Sequence, residues 1–196
     1  MVNKPTRKSA KRWAKKIGQI TGIKPRFKLR YSPTESEDWG HTLPDLKKDR
    51  VIIGIQKDLS HPLSARKMFI PKRKHYDFVI SHELGHGIGF NIFHNSSSGW
   101  VRHQFFSIMS EMEYCKRHLS KRFQAFMRGQ ISTAHPWEDG IVRSIFNSLP
   151  RSKERRKFLQ QLAKLQMGNL DSLKESEHIT KLLTMFLPAK KNKDKS

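Results

Sequence analysis

Two histidines four residues apart, with a glutamate directly after the first, form the segment His82-Glu83-Leu84-Gly85-His86. On a helix, positions i and i+4 share a face, so both imidazoles can approach one metal ion from the same side. The Glu83 carboxylate then lies within reach of a water on that metal. Zinc lowers the pKa of bound water from about 15.7 to about 7, so hydroxide is available at neutral pH. A glutamate so placed can take the water's proton and pass it to a leaving amine. The chemistry expected is therefore peptide-bond hydrolysis, with one zinc ion per chain and Glu83 as general base. The competing reading is a helix that carries these residues as a structural or vestigial site.

A catalytic zinc needs a third protein ligand and an open position. The residues leave four candidates: Glu113, His103, Glu111 and His94. His103, Tyr114 and His118 are also candidates for donating a hydrogen bond to a tetrahedral oxyanion.

The segment resembles the zincin metallopeptidases, whose motif is matched at His82, Glu83 and His86 over about ten residues. The metzincin pattern places a histidine where this chain has Ile92, so that branch does not fit. Ser110-Glu111-Met112-Glu113-Tyr114 resembles the Glu-x-Glu stretch of the ImmA/IrrE-type, gluzincin-like peptidases, whose second glutamate binds zinc. That resemblance implies Glu113 as third ligand, although Tyr114 stands where those proteins carry alanine. A second resemblance, to SprT-type proteases, implies His103, which is followed by Gln104-Phe105-Phe106. In zincins the strand ahead of the active helix often pairs with extended substrate, which implies that role for residues 51–56. Both families act near nucleic acid, so the implied substrates are nucleic-acid-associated proteins.

The elements that must position these residues follow from periodicity. Residues 74–93 are apolar at helical spacing on more than one side, as in a buried helix. Residues 50–56 are a β-branched run and read as a strand, and residues 26–31 alternate basic and apolar. Residues 32–49 read as a loop and 57–73 as irregular. Helices are expected over 6–20, 100–127, 136–149, 152–166 and 170–186, the third opened by Pro136 with two acids behind it. Gly85, Gly87 and Gly89 allow two readings, close backbone approach or a helix that frays after His86. The fold class expected is α+β, with short N-terminal strands packed on the HExxH helix and a mostly helical C-terminal half. Four parts are expected: a basic arm (1–24), a zincin-like domain (25–130), a helical extension (131–187) and a disordered basic tail (188–196).

Charge is the second signal. The 196 residues carry a formal net charge of +22, with a pI near 10.4. Such an imbalance points to a polyanionic partner. Lys8, Lys11, Arg12, Lys15 and Lys16 in the N-terminal segment, with Arg151, Arg155 and Arg156, are the candidate DNA or RNA contacts. A basic nucleic-acid-binding or virion-associated protein is thus the alternative to an enzyme. One cysteine, Cys115, excludes an internal disulfide and fits a reducing compartment. No apolar signal-peptide core follows the basic start, and no run reaches the roughly 20 apolar residues of a membrane span. The expected location is the cytoplasm of a bacterium, or of one carrying a phage or plasmid.

Overall fold

A computed structural model describes residues 7–22, 25–32, 39–48, 50–56, 70–71, 74–92, 100–164 and 172–187. His94 and residues 188–196 lie outside the described residues. The fold is α+β, with a small mixed sheet near the N-terminus and a mostly helical C-terminal half.

Helix α1 (Arg7–Thr21) leads into strand β1 (Phe27–Ser32). Strand β2 (Gly40–Asp45), a short 3-10 turn (Leu46–Lys48) and strand β3 (Arg50–Gln56) follow. β3 is central: β1 pairs with it in parallel, from Phe27 opposite Val51, and β2 pairs with it antiparallel, from Gly40 opposite Ile55. Val51, Ile53 and Ile55 are buried, one side of the strand's period-two alternation. Two expectations are corrected here. Residues 40–45, expected as loop, form a strand, because pairing to β3 overrides their polar, proline-containing composition. β3 is hydrogen-bonded on both sides, so it has no open edge for a substrate.

Helix α2 (His75–Ile92) carries the motif and continues without interruption past His86. Its glycines are explained by approach on two opposite faces. A Cβ on Gly85 would sit 2.4 Å from the Phe106 carbonyl oxygen, and one on Gly89 would sit 2.8 Å from the His103 Cα. A Cβ on Gly87 would instead meet Val51 of β3 at 2.7 Å. The glycines therefore let α2 lie directly between the sheet and helix α3 (Trp100–His118).

The single helix expected over 100–127 is two, α3 and α4 (Ser120–Met127), divided at Leu119. Leu119 has φ −139° and ψ 57° and is buried, so packing rather than a proline or glycine sets the break. Gly129, at φ +71°, ends α4: its N–H donates to the Phe126 carbonyl and the Gln130 N–H to that of Ala125. This is the Schellman closure that glycine permits. Helices α5 (Pro136–Ser148), α6 (Ser152–Lys164) and α7 (Ser172–Met185) bury Val142, Ile145, Phe158, Leu162 and Ile179 in the same core.

Within the basic N-terminal segment, the described helix α1 packs into the core. Trp13 is 4% exposed, and Ile17 and Ile20 are equally enclosed, so α1 is a helix of the core with a basic outer face. No described helix is long and apolar enough to cross a membrane.

Candidate metal centre

α2 places His82 and His86 one turn apart on the face that looks into a cleft of about 420 Å³. Their Nε2 atoms are 3.1 Å apart. The third nitrogen comes from His135, whose Nε2 is 3.2 Å from that of His86. Ligand atoms of His82, His86 and His135 all lie within 4.8 Å of one another, close enough to hold a metal ion. Zinc–nitrogen bonds of about 2.0–2.1 Å in a tetrahedron set the nitrogens about 3.3–3.4 Å apart, so the two spacings fit such an ion.

His135 precedes Pro136, which opens α5. A residue before proline is pushed toward extended backbone, and His135 has φ −128° and ψ 71°. Its loop is held from behind. The buried Asp139 carboxylate accepts hydrogen bonds from the Thr133 N–H (3.0 Å) and hydroxyl (2.6 Å). The Thr133 hydroxyl oxygen in turn accepts one from the His135 N–H at 3.1 Å. The sequence gives little sign of this ligand: a lone histidine in a loop, 49 positions beyond His86, in no spaced pattern. Only the pre-proline position could have drawn notice.

Glu83 is 4% exposed and lines the cleft. Its Oε2 accepts a hydrogen bond from the Thr42 hydroxyl of β2 at 2.7 Å. Gly40 makes room for this carboxylate, since a Cβ there would come within 2.9 Å of Glu83 Oε1.

The candidate third ligands from the sequence separate along α3. Glu111 reaches the site at one remove: the His82 Nδ1–H donates to its Oε2 at 2.9 Å. That bond leaves Nε2 as the lone pair facing the metal position, the usual carboxylate support of a ligating histidine. Arg122 of α4 donates to the other Glu111 oxygen at 3.3 Å. Burial alone would push the Glu111 carboxyl up. The His82 hydrogen bond and the Arg122 guanidinium outweigh it and hold the carboxyl below its usual range. Arg122 was not anticipated, because a buried arginine leaves no mark in a lysine- and arginine-rich chain.

Glu113 is not at the centre. Two residues along a helix turn the side chain through about 200°. It points the other way, into a buried ion pair with Arg155 of α6 at 2.6 Å. Arg155 also donates to the Leu149 carbonyl at 2.6 Å and is fully buried, which removes it from the candidate nucleic-acid contacts. Tyr114 and His118 do not line the cleft either. Their rings pack edge-on against Trp13, with centroids at 4.8 and 5.0 Å. His103 does line it, with its ring 4.1 Å from that of His86.

Burial holds the His86 imidazole well below its ordinary range, aided by His82, His103 and His135 around it. Burial, with His82, lowers His103 to about 4. Both rings are therefore neutral at pH 7, the state in which an imidazole offers a lone pair. Cys115 is buried, and burial pushes its thiol up, so it is a packed residue.

No protein-family model, curated protein or solved structure matches this chain. The functional reading therefore rests on the site itself.

Proposed function

We propose that the chain is a zinc metallopeptidase in which His82, His86 and His135 hold the ion and Glu83 is the general base. The observation that carries this reading is the convergence of three histidine Nε2 atoms beside a buried glutamate in an open cleft. The donor set is all imidazole, which suits zinc among the common ions. Zinc bound there supplies a Lewis acid and lowers the pKa of water. Glu83 accepts the proton of the attacking water and delivers it to the departing amine. Thr42 fixes the orientation of that carboxylate through its 2.7 Å hydrogen bond. His103, neutral and in the cleft, donates an N–H to the carbonyl oxygen as charge develops on it. Glu111 and Arg122 hold His82 in the ligating tautomer.

The substrate lies along β2, which is an edge strand among the described residues and contributes Gly40, His41 and Thr42 to the cleft. An extended peptide adds to such an edge through main-chain hydrogen bonds. Glu83→Gln is the direct test, with a mixed fluorogenic peptide library as substrate. Cleavage should fall by a factor of at least about 10² while zinc content stays that of the wild type. Cleavage that survives the substitution would remove Glu83 from the reaction.

A further inference from the structure

We propose that the outer face of α1, continued by Lys74 and Arg117, is a docking surface for the phosphate backbone of double-stranded nucleic acid. The proposal is independent of the peptidase reading. At 100° per residue, Lys11, Lys15, Lys8, Arg12 and Lys16 span an arc of about 140° on the side opposite the buried Trp13 and Ile17. No acidic residue lies within α1. The stripe does not end with the helix. Lys16 extends over the Trp13 ring at 4.7 Å, and Trp13 packs on His118 at the end of α3. Arg117 stands beside His118 in the last turn of α3, and Lys74 stands one residue ahead of α2, which packs against α1. With Lys16 they lower the affinity of His118 for a proton beyond the effect of its burial. Asp77 opposes them weakly, and its carboxylate accepts a hydrogen bond from Ser9. Three elements distant in sequence thus bring like charges onto one face, an arrangement that opposes folding unless a polyanion meets it.

The partner's class follows from what the face lacks. Binding of an amphipathic helix to a membrane needs an apolar side free to insert. The apolar side of α1 is committed to the core, with Trp13, Ile17 and Ile20 all under 7% exposed. Single strands are held largely by stacking on exposed aromatics. The described residues of α1 expose none. A helix face whose own charges are all basic suits the regular phosphates of a duplex, read without regard to sequence.

The test is fluorescence anisotropy of a labelled duplex DNA titrated with the full chain across a salt series. The variant carries Lys11→Gln, Lys15→Gln, Lys74→Gln and Arg117→Gln, which spares Arg12 and Lys16 over Trp13. A control removes the same charge elsewhere, at the exposed Lys47, Lys48, Arg128 and Lys181. Thermal unfolding verifies that both are folded, and Lys11→Gln with Lys15→Gln alone serves if the fourfold variant is not. The expected result is a loss of at least about tenfold at about 100 mM salt, against less than about threefold in the control. The salt slope should also become shallower by about 0.9 for each phosphate contact removed. Equal losses in variant and control, no duplex binding by the wild type, or tighter binding to a single strand or to phosphatidylserine vesicles would each overturn the proposal.

Discussion

His103 lines the cleft beside the three converging histidines, with its ring against that of His86. Its pKa lies near 4 because burial disfavours the charged ring, whereas the unfolded chain protonates it near 6.5. Below about pH 6.5 the unfolded state binds the extra proton, so the folded state loses stability as pH falls, and the loss levels off near pH 4. Replacement by glutamine removes that contribution. In metal-free protein, the urea midpoint of His103→Gln should therefore decline less between pH 6.5 and 4 than that of the wild type. Parallel curves would mean that the ring is not buried neutral. In the proposed reaction His103→Ala, which leaves no donor, should lower kcat by about 10²–10³, the usual worth of one oxyanion donor.

Much of the residue-scale site was readable and part of it was not, for definite reasons. His82, Glu83 and His86 are legible because helical geometry alone brings i and i+4 together. The roles of Glu111 and Glu113 were not, because which of two glutamates faces α2 depends on the rotation of α3. That rotation is fixed by Gly85 and Gly89 seating against Phe106, Ser107 and His103. His135 was invisible because its place is set by a tertiary loop, held by the Asp139–Thr133 hydrogen bonds, rather than by any spacing.

At the scale of elements, the glycines of α2 and α5 offer a matched comparison. Gly85→Ala places a methyl group 2.4 Å from the backbone carbonyl oxygen of Phe106, which cannot move without parting α2 from α3. Gly140, inside α5, has nothing within 4 Å of an added Cβ. Gly85→Ala should destabilise the protein by about 3 kcal/mol or more. Gly140→Ala should stabilise it by about 0.5–1 kcal/mol, the ordinary helix-propensity gain. Denaturant unfolding of the two variants measures both, and a neutral Gly85→Ala would show that the helices are not in backbone contact. Apolar periodicity made the positions of α1, α2, α5, α6 and α7 readable to within a few residues. It could not reveal β2, whose residues have no strand pattern of their own and depend on β3 for their hydrogen bonds.

Taken as a whole, the molecule sets a +22 charge on a core of ordinary apolar composition. Self-repulsion at that charge works against the compact state and is screened by salt. The melting temperature should therefore rise as sodium chloride is increased from about 20 to about 200 mM. A fall would mean that attractive ion pairs, not repulsion, dominate the surface. Among the described residues two buried pairs join helices: Arg155 with Glu113 ties α6 to α3, and Arg122 with Glu111 ties α4 to the carboxylate that supports His82. The C-terminal helices are thus part of one packed structure with the site, since α5 begins at the residue after His135 and α6 anchors the far side of α3.

Zinc content per chain bears most directly on this account. Wild type, His135→Ala and Glu113→Gln are each loaded with zinc, desalted and assayed by mass spectrometry of the metal. The geometry predicts about one zinc in the wild type and in Glu113→Gln, and a large loss in His135→Ala, as expected for a site reduced to two ligands. Full zinc in His135→Ala, or its loss in a folded Glu113→Gln, would contradict the three-histidine centre.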